Sequence, residues 1–252
     1  MFRSPRKGTG HHQGAQGLRA YVVGDIHGRL DLLEKLIEKI HADIAARTPC
    51  ETLLVFVGDL IDRGPESAQV VEFLRTYSHP NVRTIFLLGN HEEVLLRILD
   101  GETPLIQSWL KFGGAQCLES YGLASKEVAI SEDEHALALI RRAIPQEHAK
   151  FLRSFVDSCQ FGDYLFVHAG IRPGVDLQDQ RQSDLRWIRE PFLLDESDHG
   201  FKVVHGHTIS AEVEEKSNRI GIDTGAFATG VLTALAIEGG DHWFLDTRSA
   251  PS

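Results

Sequence analysis

Aspartate, asparagine and histidine recur in this chain directly after short apolar runs, a set of donors suited to holding divalent cations. Asp25 and His27 lie in Gly24-Asp25-Ile26-His27-Gly28, after Ala20-Tyr21-Val22-Val23. Asp59, Asp62 and Arg63 follow Leu53-Leu54-Val55-Phe56-Val57, and Asn90, His91 and Glu92 follow Ile85-Phe86-Leu87-Leu88. His168 follows Leu165-Phe166-Val167, and His205 and His207 follow Phe201-Lys202-Val203-Val204. Two positions apart at a strand end, Asp25 and His27 leave the same side of the chain and can share one cation. Asn90 can ligate through its carbonyl without adding charge. His91 beside it points elsewhere, free for proton transfer near neutral pH. Glu92 reads as a helix N-terminal charge or a partner to a ligand, and His205 as a supporting group. Mixed nitrogen and oxygen donors without thiolate suit Mn, Fe, Zn or Ni. Six ligands with one shared carboxylate imply two ions, which in hydrolytic pairs lie ~3.5–4 Å apart.

Each apolar run has the length and the Val/Ile/Leu/Phe content of a buried strand. In open α/β sheets ligands sit outside the carboxyl ends of the strands, so five such ends converge on one place. Strands are predicted at Leu18–Val23, Thr52–Val57 and Val82–Leu88. Between them run a helix carrying Leu33, Leu36, Ile37, Ile40 and Ile44 and another at Ser67–Tyr77, with a third opening near Glu92. That alternation predicts parallel pairing with right-handed crossovers. From Gly101 to Phe155 only helical patterns occur, and this insert either shapes a substrate pocket or covers a sheet face. Strand signals return at Tyr164–Val167, Phe201–Val204, Arg219–Ile222 and Val231–Ile237, closely enough spaced for a mixed second sheet. Asp176–Glu190 reads as a long functional loop. Residues 1–17 read as a frayed, solvated tail, with 18–248 as a single domain.

Composition bounds the partners. With 252 residues and 42% apolar content, the chain suits one sizeable α/β domain. A net charge of −10 argues against a nucleic-acid duplex, although it leaves room for a local basic pocket for one phosphate. Cys50, Cys117 and Cys159 are odd in number and form no C-x-x-C pair, as expected of reduced thiols in a cytosolic protein. No stretch approaches the roughly 18 apolar residues of a membrane span, and the start lacks the apolar core of a signal peptide. Neither a Walker lysine motif nor a G-x-G-x-x-G fingerprint is present, and the oligomeric state is left open.

Taken in order, the blocks G-D-x-H-G, G-D-x-x-D-R-G, G-N-H-E, H-A-G and G-H-T resemble those of the calcineurin-like metallophosphoesterases. Within that superfamily the chain looks most like the bacterial form of the phosphoprotein phosphatase family, over about residues 18–238. The resemblance implies an α/β fold of four layers, two mixed sheets face to face with helices outside. It implies that Asp25, His27 and Asp59 hold one metal, with Asp59 bridging to a second completed by Asn90, His168 and His207. His91 would be the general acid, oriented by Asp62. Arg63 and Arg189 would bind phosphate oxygens beside Asn90, with Arg186 the competitor for the place of Arg189. Two divalent ions are implied, Mn foremost, with Fe, Zn or Ni as alternatives. The activity implied is phosphomonoester hydrolysis by a water that the cations activate, foremost on phosphoserine or phosphothreonine in proteins. The alternatives are symmetrical hydrolysis of diadenosine tetraphosphate and, from another class, a catalytically inactive metal-binding scaffold. Ile209 stands where other branches, nucleases included, carry a second histidine. Ile222-Asp223-Thr224-Gly225-Ala226 replaces a late segment of the eukaryotic branch.

Overall fold

A computed structural model describes residues 12–248. The first half alternates as its periodicity demands: β1 (Leu18–Val23), α1 (Leu30–Ala45), β2 (Glu51–Phe56), α2 (Ser67–Thr76), β3 (Val82–Phe86) and α3 (Asn90–Leu99). Helices follow, α4 (Ile106–Trp109), α5 (Ala115–Ser120), α6 (Ser125–Ile130), α7 (Asp133–Ala143) and α8 (Gln146–Arg153). The remainder contains β4 (Ser158–Phe161), β5 (Tyr164–Val167), α9 (Gln182–Trp187), β6 (Lys202–His205), β7 (Glu214–Glu215), β8 (Arg219–Gly221), α10 (Ala226–Thr229), β9 (Thr233–Glu238) and β10 (Asp241–Asp246).

These strands form two mixed five-stranded sheets, ordered β10-β9-β1-β2-β3 and β4-β5-β6-β8-β7. β1, β2 and β3 pair in parallel, whereas β9 runs antiparallel to β1. In the second sheet β5, β6 and β8 are parallel and β4 and β7 are antiparallel edges. Strand alternation explains the layering, since successive side chains point to opposite faces. Ala20, Val22, Val55 and Leu235 meet Phe166, Val204 and Ile220 in a core between the sheets. Their neighbours Tyr21, Val23, Leu54 and Phe56 face outward onto Leu33, Leu36, Val70 and Leu95 of the flanking helices. Across the molecule, Leu165, Val167 and Val203 pack outward on Leu185, Ile188 and Phe192. The result is helix, sheet, sheet, helix.

Three strands lacked a signal strong enough to be expected. β4 and β7 are short edges. β10 pairs with β9 around a two-residue turn, Gly239-Gly240, in which Gly239 has φ 57°. Asp176–Glu190 is not wholly loop, because α9 forms within it and buries Leu185. Within the stretch expected as a tail, over 1–17, Gln13 N–H donates to Asp163 Oδ2 at 2.9 Å and Gly14 N–H to Gly239 O at 2.7 Å. Residues 1–11, with Arg3, Arg6, Lys7 and His11, lie outside the described residues. The helical stretch does cover a sheet face, since Ile106, Trp109, Leu118, Leu137 and Ile140 join the core under β1 and β2. It also touches the strand ends, because Arg63 N–H donates to Gly113 O at 3.1 Å.

Candidate metal centre

Sharp turns at the strand ends put the polar side chains in one place. Outside glycine, six described residues adopt left-handed φ, and five of them are His27 (48°), Asp59 (50°), Asp62 (71°), Arg63 (66°) and His207 (63°). Such conformations persist only where surrounding contacts over-determine them. Glu92 supplies many of those contacts. Its Oε2 accepts Asp59 N–H at 2.8 Å and Gly89 N–H at 3.2 Å, and its Oε1 accepts Leu60 N–H at 2.8 Å and Ile61 N–H at 3.2 Å. Burial and then the Asp59 charge push this carboxyl up to about 8, against the pull of those N–H groups. Gly58 is needed because β2 and β3 almost touch where they end. A Cβ there would lie 2.5 Å from Gly89 N, and its φ of 103° also disfavours other residues.

Two buried clusters meet on Asp59. Ligating atoms of Asp59, His168 and His207 lie within 4.8 Å of one another, as do those of His27, Asp59 and His91. His27 Nδ1–H donates to Ile61 O and His168 Nδ1–H to Val57 O, both at 2.8 Å, which leaves each Nε2 lone pair for the site. Burial lowers the pKa of both rings, His27 to about 3, which favours the neutral form. Burial, followed by the repulsion of any proton on His168, also lowers His207 to about 3. Asn90 Oδ1 lies 2.9 Å from both His168 Nε2 and His207 Nδ1. With Nδ1 of His168 already donating, the first contact sets lone pair against lone pair, and a cation between them removes the conflict. His207 Nε2 and Asp25 Oδ1 are buried with no hydrogen-bond partner among the described residues. Donor chemistry, orphaned atoms and spacing therefore fit a divalent pair.

Asp25 falls outside both three-residue clusters, although its Oδ2 accepts the His207 backbone N–H at 3.0 Å. Burial and then the Asp223 and Asp59 charges raise its carboxyl well above the usual range. Asp59 goes the other way: burial alone would raise it, but His168, His91 and His27 outweigh that and hold it low. A shared cation relieves the crowding of Asp25, Asp59 and Asp223.

His91, a member of one cluster, also meets a carboxylate and a guanidinium. His91 Nδ1–H donates to Asp62 Oδ2 at 2.6 Å, and Arg63 Nη2 lies 3.1 Å from His91 Nε2. Burial opposes charge on His91, but Asp59 and Asp62 outweigh it and raise its pKa to about 9. Once His91 is protonated, Nε2–H and the guanidinium are two donors aimed into one space, which suits a phosphate oxygen. Arg63 also lies over the Phe227 ring, 4.8 Å from its centroid, and Phe227 stands edge-on to His27 at 5.4 Å. Arg186 is committed elsewhere, since its Nε and Nη2 reach Asp157 Oδ1 at 2.8 and 2.6 Å. Arg189 is exposed, and its charge disfavours protons on His168 and His207. His205 lies apart from the clusters, buried against Phe192 at 5.1 Å and lowered to about 4 by burial.

The model of the family described as calcineurin-like phosphoesterase matches residues 18–226. The chain belongs to that family. Among curated relatives it is 30% identical to serine/threonine-protein phosphatase 1 of Salmonella typhimurium, over 86% of this chain and 91% of the relative. It is 27% identical to the asymmetrical bis(5'-nucleosyl)-tetraphosphatase PrpE of Bacillus subtilis, over 92% of this chain and 93% of that one. A solved structure named as a candidate diadenosine tetraphosphatase superposes with a TM-score of 0.64 at 21% identity, covering 92% of this chain and 98% of that chain. As a phosphoesterase of this family the chain is a hydrolase. Among the described residues no helix is long and apolar enough to cross a membrane.

Several contributors had no role in the sequence reading. Asp223 is buried beside Asp25 and follows β8 as the other aspartates follow their strands, which was the available signal. Ser67 receives Asp62 N–H at 2.9 Å, and Trp109 Nε1–H donates to Asp62 Oδ2 at 2.9 Å. No local pattern marks either of them.

Proposed function

We propose that this phosphoesterase hydrolyses phosphomonoesters of poor leaving groups, foremost phosphoserine and phosphothreonine in proteins, with two divalent ions of which Mn is the first candidate. Asp25, His27 and Asp59 would hold one ion, and Asp59, Asn90, His168 and His207 the other. Such a pair supplies a nucleophilic water at neutral pH and neutralises phosphate charge. Arg63 and Arg189 clamp phosphate oxygens, because a planar guanidinium matches two of them at once. Asn90 faces the same space. His91 then gives its Nε2 proton to the departing oxygen, while Asp62 holds the ring and stabilises its charge.

The observation that carries this reading is the 2.6 Å contact between His91 and Asp62. An alkoxide is strongly basic and leaves slowly without a proton, whereas a polyphosphate leaves readily. A built proton donor therefore favours an alkyl ester. Dinucleoside polyphosphate hydrolysis is the second reading, favoured by likeness to the tetraphosphatase along nearly the whole chain. Metal-stripped protein reloaded with Mn, Fe, Zn or Ni should turn over phosphoserine and phosphothreonine peptides faster than diadenosine tetraphosphate. The reverse preference selects the second reading. In that case two ADP would mark symmetrical cleavage, and AMP with ATP would mark asymmetrical cleavage.

A further inference from the structure

We propose that the helical segment completes the proton-donating machinery, with Trp109 as a positioning residue that locks the Asp62 carboxylate against His91. This rests on His91 being the general acid.

Trp109 is 2% exposed and donates Nε1–H to Asp62 Oδ2 at 2.9 Å, the same oxygen that accepts His91 Nδ1–H at 2.6 Å. The other oxygen, Oδ1, is buried with no hydrogen-bond partner among the described residues. Carboxylate torsions are soft, so a single bond from His91 would leave the plane of Asp62 free to turn. Trp109 removes that freedom and aims the lone pair at the imidazole. It also leaves Oδ2 with two charge-stabilising donors, which favours the ionised carboxylate.

An interruption in the helices makes the contact possible. Between α4 and α5, Phe112 and Gly113 leave helical geometry, and Gly113 has φ 119°. A Cβ on Gly113 would sit 2.6 Å from Arg63 N, while one on Gly114 would overlap the indole of Trp109. Gly113 thus lets the segment close onto the turn, and Gly114 leaves room for the indole. There Gly113 O accepts Arg63 N–H at 3.1 Å, so two successive strained residues are each fastened from this segment.

Help from a general acid matters most when the leaving oxygen is basic and least for 4-nitrophenolate. Wild type, Trp109→Phe, Asp62→Asn, the double variant and His91→Ala would be compared on phenyl phosphate and 4-nitrophenyl phosphate, with metal content and thermal midpoint recorded. Trp109→Phe should lower kcat on phenyl phosphate by about tenfold, the size expected for one hydrogen bond to a charged group. KM and metal content should hold, and the loss on 4-nitrophenyl phosphate should stay within about twofold. The double variant should be no slower than Asp62→Asn alone, since the indole acts through that carboxylate. Equal losses on both esters, or losses that multiply in the double variant, overturn the proposal. Should Trp109→Phe prove unstable, benzothienylalanine at position 109 keeps the ring shape and removes only the donor, and the same outcomes apply. If His91→Ala costs equally on both esters, the acid reading fails and takes this proposal with it.

Discussion

At the scale of single residues, the site is a set of strained backbones held by buried hydrogen bonds. His27, Asp59, Asp62, Arg63 and His207 each sit at positive φ, at a cost on the order of 1–3 kcal/mol per residue. Glu92 offsets part of it with four backbone contacts, worth about 1 kcal/mol apiece. His91 has two possible jobs, because its ring belongs to a metal-sized cluster and is also bonded to Asp62. His91→Ala separates them. Turnover should fall by about 10²–10⁴ while metal content, read by elemental analysis, stays at the wild-type level. Metal loss in proportion to activity would make His91 a ligand and end the acid assignment.

Elements act here as brackets whose own anchoring lies away from the chemistry. α1 is tied to the first sheet through Asp43 Oδ2, which accepts Tyr21 Oη–H at 2.6 Å, Arg47 Nε–H at 2.9 Å and Trp243 Nε1–H at 3.1 Å. Burial alone would raise the Asp43 carboxyl, but the bonds from Arg47 and Tyr21 outweigh it and hold the pKa below its ordinary value. A folded-state value below the unfolded one adds stability above the unfolded value, near ~4. That stability is lost as pH falls through the folded value. Asp43→Asn should therefore cost about 1–2 kcal/mol at pH 7, with the gap to wild type closing toward pH 3. Urea midpoints at the two pH values check it, and an undiminished gap at low pH would refute the linkage.

For the molecule as a whole, the candidate metal centre is a joint between sheets. The residues proposed as its ligands follow β1, β2 and β3 in one sheet and β5 and β6 in the other, while the apolar core between the sheets lies beneath. Each cation bound only by the folded chain stabilises it, by about 2.7 kcal/mol at a hundredfold excess over Kd. For a chain of this size that corresponds to roughly 5–10 °C in Tm. Chelation should lower Tm by that amount for each ion removed, and Mn should restore it at two equivalents per chain. An unchanged melting curve would show that the cluster holds no ion in solution.

The division between sequence and structure follows the range of the forces involved. Continuous apolar runs and turn residues report local geometry, so β1 and β5 end where the sequence places them, at Val23 and Val167. A mixed second sheet was legible from strand spacing, whereas its face-to-face packing on the first and the family came from the resemblance carried by the five motif blocks. What only tertiary structure decided are contacts between distant residues: Trp109 on Asp62, 47 positions apart, Asp223 beside Asp25, and Arg186 spent on Asp157. Positive φ at His27 and Asp59 is likewise invisible in sequence, because an aspartate or histidine holds it only when neighbours from other elements enforce it. Local pattern names the donors, and packing decides which way each one points.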